Sequence, residues 1–537
     1  MTDRKRTTCP FCRHGCELEV GQVGQSGQTW QFRMEYPGDA KVNAGRLCPR
    51  GNSASILVDH PRRLAYPLLD GREVTWDAAL SRLETWFGSV RPEETAVVYS
   101  RGLTRDELGL VCGLASALGT PHLVCGYLEP GNWFGLRLDG VTPAGLDDVS
   151  GAKVTLLSGD VFATSPVAAR RIVEARYADR ANRLIVIDSV QTRQSGFAHL
   201  WIRVHPGTEP FALAGIAALL DSSLRQQVDP AAMAAVCGTE MKLFERAADI
   251  LKGNGPAFVG SAMSFGRVVL PWLHSLAAQL VAVKAKAAFA GFSEGLVPQS
   301  AMQFGQFRDA LASGNLKLVL WFGGLHPYSY PEVLPELAQV QFRCATSIFR
   351  PAGNLPGLVL PVPSELEKDG AGESMWGAVQ RTAVVKAVSG TRSVAGLIGG
   401  LREVKGQALS EWPVVAAKEA VAELAAAAKT FRPPEGCTLL GEKHAFGIGG
   451  FFDEENVLSM SPNDARRLGV NSADRVVART EAGQCELGVR ITRSLADGQF
   501  VVGVNRHQNR ALFPLWYEAG TGRTSVPPVK VEVWRKG

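Results

Sequence analysis

Four cysteines near the start of the chain have a spacing that suits a soft metal. Cys9, Cys12 and Cys16 form a Cys-x2-Cys-x3-Cys run, and Cys48 follows further along. Thiolates bind zinc ions and iron–sulfur clusters. A structural zinc site usually has two Cys-x2-Cys pairs, whereas one loop with three cysteines can hold three corners of a cubane. The spacing therefore favours a [4Fe-4S] cluster, with a zinc site or a chance grouping as the alternatives.

The other six cysteines stand alone in apolar or strand contexts, which is typical of buried, inert thiols. They are Cys112, Cys125, Cys237, Cys344, Cys437 and Cys485. A single cubane passes one electron at a time. We therefore expect a redox-linked protein with a second electron donor or acceptor in the body of the chain.

Charge and hydropathy exclude several classes of protein. The net charge of +5 comes from 57 basic and 52 acidic residues without a basic cluster, so a nucleic-acid or membrane-surface role has no support. The N-terminus, MTDRKRTTCPFC, lacks the apolar run of a signal peptide. The most apolar stretch, from Val268, is interrupted by Pro271, His274 and Gln279 and predicts a buried helix rather than a bilayer span. We expect a cytoplasmic protein, where clustered cysteines bind metal rather than form disulfides.

Alternating strands and helices predict parallel α/β sheets. One unit consists of a strand at 153–160, a helix with Ser165 as N-cap and Pro166 at its first position, and a strand at 183–189. Further strands at 95–100, 256–264 and 317–324 repeat this pattern, which predicts two α/β lobes. Short strands with Gly and Asp turns follow Cys437 and predict a terminal β-barrel.

These patterns divide the chain into three parts, which suits 537 residues at roughly 150 residues per domain. Residues 1–60 form a cysteine-bearing module, residues 61–430 form two interleaved α/β lobes, and residues 437–537 form the barrel.

Several motifs, taken in order, resemble those of a known family. They are CPFCRHGCELEV with GRLCPRG, TWDAALSRL, SGDVFATSPVAARRI, VIDSVQTRQSGFAHLWIRVHPGTEP, LPGLVLPVPSELEKDGAGESMWGAVQ and LSMSPNDARRLGV. Together they resemble the molybdenum/tungsten bis-pterin oxidoreductases. That group includes formate dehydrogenases, the formylmethanofuran dehydrogenase catalytic subunit and the large cluster-bearing subunit of NADH–quinone oxidoreductase.

The resemblance implies an α/β, DMSO-reductase-like fold with an Fe-S module, two lobes and a C-terminal dinucleotide-binding barrel. It implies a [4Fe-4S] cluster and a bis-molybdopterin guanine dinucleotide carrying Mo or W. It also implies an electron-relay role for Arg50, between cluster and pterin. The implied cofactor-binding positions are Gly159, Asp160, Ser165, Asp188, Thr192, Gly207, Glu209 and Asn509.

Four of these positions also have plain structural interpretations. Asp188 could cap the turn that follows its strand, and Gly207 could serve only a turn. Arg50 could be a solvated surface residue, and Asn509 an ordinary loop residue.

The chain departs from the family where the metal is held. Formate-dehydrogenase-like members have Cys or selenocysteine followed by His, and alignment on Gly131 puts Glu129 and Pro130 there. A carboxylate can ligate a high-valent metal, so Glu129 is the expected ligand. Glu294-Gly295 replaces the family's Arg-Gly, and a glutamate would repel formate. The family's Pro-Arg-Arg after Asp188 is replaced by Ser189-Val190-Gln191.

Three functional hypotheses remain. The first is an oxidoreductase subunit acting on formate, a formyl compound or another small substrate, with electrons leaving through the cluster. The second is a non-catalytic electron-transfer or scaffold subunit. The third is a zinc-stapled structural protein. The first requires a partner with Fe-S or flavin groups, because the chain has no flavin or nicotinamide motif of its own.

Overall fold

The computed structural model describes most of the chain in two compact units. The first unit comprises Met1–Leu128, Gly295–Glu411 and Tyr517–Thr524, and the second comprises Glu129–Glu294, Trp412–Trp516 and Ser525–Gly537. The described residues are 4–26, 29–100, 102–126, 136–253, 255–262, 266–267, 269–292, 302, 304–324, 333–351, 356–409, 414–442, 456–504, 507–517 and 524–536.

The first unit contains, within its described residues, a seven-stranded sheet whose five strands at one side run parallel. Strand Thr95–Tyr99 lies between Leu318–Phe322 and His122–Cys125 and is buried along its whole length, as expected of a central strand in an α/β sheet. The order across the sheet is Arg72–Glu73, Leu68–Leu69, Leu358–Pro361, Phe342–Ser347, Leu318–Phe322, Thr95–Tyr99 and His122–Cys125.

Helices flank this sheet in the pattern that the sequence predicts. Helix Trp76–Phe87 begins at the N-cap Thr75, whose hydroxyl accepts from the Ala78 N–H, and it buries Ala79, Leu83 and Trp86. The other helices are Pro49–Asn52, Ile56–Asp59, Arg105–Ala117, Phe304–Ala312, Leu334–Leu337 and Val394–Leu401, with a 3-10 turn at Pro92–Glu94.

Two antiparallel elements complete the first unit. Strands Arg4–Thr8, Glu17–Ser26 and Thr29–Glu35 form a small sheet near the N-terminus. Strands Gly370–Ser374 and Gly377–Arg381 form a hairpin, which we call the 370–381 hairpin.

The second unit contains an all-parallel sheet of six described strands. Val154–Ser158 pairs with Arg183–Asp188 on one side and Ala257–Ala262 on the other. Because the strands run parallel, their carboxyl ends lie at one edge of the sheet, which is where ligands bind in open α/β sheets. The order is Leu200–Arg203, Arg183–Asp188, Val154–Ser158, Ala257–Ala262, Ala288–Phe292 and Thr142–Pro143.

Two apolar helices form the core of this unit. Glu209–Leu220 and Pro271–Ala285 are buried over most of their lengths, as expected for helices that are apolar all round. This confirms the buried helix predicted after Val268. The other helices are Leu146–Gly151, Val161–Thr164, Pro166–Ala178, Pro230–Cys237, Met241–Lys252, Ala417–Thr430, Pro462–Leu468 and His507–Arg510, with 3-10 turns at Gln194–Phe197 and Ser222–Gln226.

The C-terminal segment forms a seven-stranded mixed sheet among its described residues. The order is Val529–Lys530, Thr438–Glu442, Gln499–Gly503, Val457–Met460, Gln484–Ile491, Arg475–Arg479 and Glu532–Arg535. The β-rich domain predicted after Cys437 is present as a half-barrel. Short strands also occur at Arg137–Leu138, Val414–Val415, Trp516–Tyr517 and Thr524–Ser525.

The mixed α/β architecture is confirmed, whereas the boundaries at 60, 430 and 437 stay predictions. Each compact unit draws on separated segments of the chain, so sequence continuity alone does not define either one. No helix among the described residues has both the length and the hydropathy to cross a membrane.

A buried ion pair ties the first unit together. Arg63 Nη2 lies 2.7 Å from Glu367 Oε2, and both side chains are almost fully buried. The same carboxylate accepts from the N–H groups of Ser364 and Val388 at 2.6 and 2.8 Å. Every oxygen of Glu367 thus has a donor, which is the condition under which a buried charge is tolerated.

Arg63→Leu is expected to destabilise the first unit by about 3–5 kcal/mol, because it leaves the Glu367 charge buried without its cation. The measurement is the shift of the urea unfolding midpoint. Arg350→Leu is the matched control, since it removes an exposed pair with Glu73 and is expected to cost about 0–1 kcal/mol. Equal shifts for the two variants would contradict this assignment.

Candidate functional site

The cysteine run forms a closed loop at the end of a β-hairpin. Strands Arg4–Thr8 and Glu17–Ser26 pair so that Thr8 lies opposite Glu17. The Cys9 N–H then donates to the Cys16 carbonyl at 2.7 Å, which closes the loop. Cys48 caps the short helix Pro49–Asn52, and its Sγ accepts from the Gly51 N–H at 3.5 Å. The hairpin loop therefore fixes the backbone positions of Cys9, Cys12 and Cys16, and the helix N-terminus fixes that of Cys48.

The four thiols lie within electrostatic range of one another. Burial raises the pKa of Cys9 well above its usual range, and Cys12 and Cys48 raise it further. Burial likewise raises the pKa of Cys16, with contributions from the three other cysteines. Without a bound cation, burial and the neighbouring cysteines thus favour the neutral thiols of Cys9 and Cys16.

Arg50 lies two residues after Cys48 in the short helix and is only 1% exposed. The interpretation of Arg50 as a solvated surface residue is therefore wrong. Burying a guanidinium is costly unless anionic or acceptor groups surround it. Its position gives the cysteine loop a buried positive charge.

The predicted metal-ligand segment is only partly described. Cys125 ends strand His122–Cys125, is fully buried and lies opposite Tyr99. Glu129, Pro130, Glu294 and Gly295 lie outside the described residues.

In the second unit, Gly159 and Asp160 form a tight turn between strand Val154–Ser158 and helix Val161–Thr164. Gly159 has φ +73°, and a Cβ atom there would lie 1.8 Å from the Ala262 carbonyl oxygen, so only glycine fits. Asp160 caps the helix by accepting from the Ala163 N–H at 3.0 Å. Ser165 begins the next helix, Pro166–Ala178, as its N-cap.

Asp188 ends the neighbouring strand and forms a buried ion pair. Its Oδ1 accepts from Arg267 Nη1 at 3.2 Å and from the Val190 N–H at 3.1 Å. Asp188 therefore does cap the following turn, and its carboxylate also pairs with the buried Arg267 guanidinium. Arg267 Nε donates to the Gly441 carbonyl at 3.0 Å, which links this edge to the C-terminal sheet within the same unit.

Three carboxyl groups share this one arginine. Burial raises the pKa of Asp188 to about 6, with Arg267 opposing the rise and Asp160 adding to it. Burial raises the pKa of Glu209 to about 8, and Asp188 adds to it. Burial also raises the pKa of Asp160, with Arg267 opposing the rise. The structure thus brings Asp160, Asp188 and Glu209 together at one sheet edge.

Polar atoms at the same edge lack hydrogen-bond partners among the described residues. They are Glu209 Oε2, Thr192 Oγ1 and Ser261 Oγ. Ser261 lies at the end of strand Ala257–Ala262, opposite Ser158. Gly207 has φ +84° in the turn before helix Glu209–Leu220, as its turn interpretation requires. Unsatisfied buried polar atoms are rare in native proteins and point to a ligand.

Asn509 is not brought into this group by any described contact. It is fully buried, its Nδ2 donates to the Gly503 carbonyl at 2.8 Å, and its Oδ1 accepts from Cys485 Sγ at 3.6 Å. Both described contacts of its side-chain amide are thus with residues of the C-terminal segment, which is consistent with the structural interpretation of Asn509.

Sequence reasoning missed two residues of this edge. Arg267 supplies the shared positive charge, and Gln194 clamps the Gly159 turn by donating to the Gly159 carbonyl at 2.6 Å and accepting from the Val161 N–H at 3.1 Å. Arg267 could have been found from the sequence as the basic residue that follows the strand-to-glycine turn at 256–264. Gln194 has no local signal, because its partners lie far away in the sequence.

Two family models match the ends of the chain. The "Molybdopterin oxidoreductase Fe4S4 domain" matches residues 2–60, which contain the four cysteines, and the "Molydopterin dinucleotide binding domain" matches residues 449–518.

Curated relatives share part of the sequence. A nitrate reductase of Klebsiella oxytoca is 26% identical over 39% of this chain and 25% of its own length. An F420-dependent formate dehydrogenase 2 subunit alpha of Methanococcus maripaludis is 28% identical over 39% of this chain and 32% of its own length. The chain therefore spans about a quarter to a third of the relatives it matches.

A solved structure resembles the whole chain. Acetylene hydratase from Pelobacter acetylenicus superposes with a TM-score of 0.76, covering 99% of this chain and 100% of that one. The sequences are 13% identical, so this likeness concerns the fold alone.

The pKa of Glu209 predicts a pH-dependent stability of the cofactor-free protein. Folded Glu209 keeps its proton to about pH 8, whereas its unfolded counterpart releases it near 4.5. The folded state binds more protons in this window, so the free energy of unfolding falls as the pH rises through it. Glu209→Gln removes that proton linkage. We expect the variant to exceed the wild type by at least about 1 kcal/mol at pH 8 and by much less at pH 5, measured by urea unfolding.

Glu240→Gln is the control for this measurement, because Glu240 is exposed. A Glu209→Gln protein with the same pH profile as the wild type would show that Glu209 is ionised in the folded state.

Proposed function

We propose that this chain is a molybdopterin oxidoreductase subunit that carries electrons between a molybdenum– or tungsten–pterin centre and a [4Fe-4S] cluster. The observation that carries the proposal is the pairing of two sites in one chain. Four electrostatically coupled cysteines occupy the first unit, and unsatisfied buried polar groups occupy the strand ends of the second.

The residues of the first unit fit the cluster. Cys9, Cys12, Cys16 and Cys48 supply four thiolates, and the cationic irons offset the repulsion that keeps them protonated otherwise. Gly51 N–H already donates to Cys48 Sγ, as backbone amides do to cluster thiolates. Buried Arg50 would counter the negative charge on this side of the loop, in keeping with the relay role that we propose for it.

The residues of the second unit fit a dinucleotide. The carboxylates of Asp160, Asp188 and Glu209 can accept hydrogen bonds from ribose hydroxyls or base N–H groups, and Thr192 adds a hydroxyl. Gly159 and Gly207 have positive φ in the turns beside these groups, so no side chain there blocks the approach of a ligand to the backbone. Arg267 offsets the negative charge of both the carboxylates and the ligand.

When bound, the pterin-held metal supplies two-electron oxidation or reduction of a small substrate. We propose formate or a formyl compound as that substrate class, on the family resemblance. Glu129 would ligate the metal through its carboxylate, a donor suited to a high-valent ion. Pro130 cannot accept a proton, so this chain would need a proton acceptor other than the family's histidine.

The replacement of the family's metal-ligand residues favours a second candidate function. With Glu129-Pro130 in place of Cys/Sec-His, and Glu294 in place of an arginine, the chain could be an electron-transfer or scaffold subunit without metal chemistry at the pterin position. In either case, the single cluster needs an outlet. We propose a partner subunit with Fe-S or flavin groups, and a cytoplasmic location for the assembly.

The proposal predicts the metal content of the native protein. Elemental analysis is expected to give about four Fe and one Mo or W per chain. Iron without Mo or W would select the electron-transfer subunit, and zinc alone would contradict both. Cys12→Ala is expected to lose the reduced-cluster signal in electron paramagnetic resonance (EPR). Cys112→Ala, at a buried lone cysteine, is the control and is expected to keep it.

Glu129→Ala tests the metal ligand. We expect the Mo or W content to persist, because the dithiolene groups of the pterins also hold the metal. The EPR spectrum of the pentavalent metal should change, because one oxygen donor is lost. A spectrum identical to that of the wild type would remove Glu129 from the ligand set.

A further inference from the structure

Two hydrogen-bond donors outside the cysteine motif lie near the proposed cluster ligands, one beside the helix that Cys48 caps and one within electrostatic range of Cys9. They are the Tyr36 hydroxyl and the Arg381 guanidinium. Tyr36 Oη and Arg381 Nε are both buried and have no hydrogen-bond partner among the described residues. A buried donor without an acceptor costs about 1–3 kcal/mol, so its persistence suggests an acceptor that is present only with the cofactor.

Tyr36 reaches the cysteines from the strand side. A Cβ atom on Gly51 would lie 3.2 Å from Tyr36 Oη, and the Gly51 N–H donates to Cys48 Sγ at 3.5 Å. The Tyr36 hydroxyl therefore lies beside the backbone group that contacts Cys48. A phenol keeps its proton at neutral pH, so the Tyr36 hydroxyl can act as a donor there.

Arg381 reaches the cysteines from the 370–381 hairpin. Its two neighbours are fixed against the residues that precede Cys9. Thr8 Oγ1 donates to the Gln380 carbonyl at 3.1 Å, and the Thr382 N–H donates to Thr7 Oγ1 at 3.3 Å. The positive charge of Arg381 is felt at Cys9, where it favours the thiolate.

Further contacts hold the hairpin on the cysteine loop. The Met375 N–H donates to the Arg13 carbonyl at 2.7 Å, and the His14 and Trp376 rings meet edge to face with centroids 5.5 Å apart. Gly15 has φ +74°, and a Cβ atom there would come within 2.7 Å of Ser374 Cβ. The hairpin is thus closely packed against the cysteine loop. These contacts fix the backbone position of Arg381 relative to the loop.

We propose that Tyr36 and Arg381 donate hydrogen bonds to sulfur atoms of the [4Fe-4S] cluster and set its midpoint potential. This rests on the cluster ligation proposed above. Reduction adds one electron to the cluster, from [4Fe-4S]2+ to [4Fe-4S]+, without breaking a bond. Donors and a positive charge stabilise the more negative, reduced state, so both residues raise the potential. Tyr36 and Arg381 thus tune the potential of the cluster and take no part in bond making or breaking.

The test is an EPR-monitored titration of the whole chain with dithionite. Tyr36→Phe removes one hydroxyl without changing the ring, and we expect it to lower the midpoint potential. Arg381→Gln removes a charge and is expected to lower it further, whereas Arg381→Lys, which keeps the charge, should restore part of the loss. Arg381→Met keeps the aliphatic stem and replaces Arg381→Gln if the latter fails to fold.

Two exposed residues provide the matched controls. Tyr66→Phe removes an exposed phenol in the first unit, and Arg33→Gln removes an exposed charge from the N-terminal sheet. Solvent screens both sites, so we expect the wild-type potential for each. A second readout is electron–nuclear double resonance of the reduced cluster in H2O and D2O, in which Tyr36→Phe should lose one exchangeable proton coupling.

Iron analysis separates the possible failures. A wild-type protein without four irons would overturn the cluster ligation and this inference with it. Variants that retain four irons but titrate like the two controls would overturn the inference alone.

Discussion

The first unit is organised around the mutual repulsion of four thiolates. A hairpin loop and a helix N-terminus bring Cys9, Cys12, Cys16 and Cys48 within range of each other and bury two of them almost completely. Burial and proximity both favour the protonated thiols of Cys9 and Cys16, and cationic irons would offset this by stabilising the thiolates. The surrounding elements suit this arrangement, because Arg381 acts on Cys9 as a positive charge and the Tyr36 hydroxyl lies beside the Gly51 N–H that contacts Cys48.

The second unit instead gathers carboxyl groups around a single arginine. Parallel strands end at one edge and bring Asp160, Asp188 and Glu209 together, with Arg267 as the one arginine that all three share. One cation cannot neutralise three buried carboxylates, so protons remain on the site at neutral pH. A ligand rich in hydroxyl and N–H donors would satisfy these oxygens, and the glycine turns beside them leave the backbone close to it.

Most of the cysteine site could be predicted, because its ligands are local in sequence. Three lie in one loop and the fourth caps a short helix, so spacing alone indicated the cluster. The strand-end residues Gly159 and Asp188 could also be predicted, since strand-to-helix turns have recognisable patterns. Arg267, Gln194, Tyr36 and Arg381 could not be assigned in this way, because each acts on residues that are distant in the chain or outside any motif. The position of Arg50 two residues after Cys48 is visible in the sequence, whereas its burial depends on segments outside the motif.

The sequence by itself determined the order of elements, the α/β class and the four cysteines that we propose as cluster ligands, because these depend on periodicity and short spacings. Only the tertiary structure decided which side chains face the cysteines, and that three carboxyl groups share one arginine. It also decided that each compact unit is assembled from separated segments. The physical reason is that burial and electrostatic coupling depend on distances between chain segments, which a linear pattern does not contain.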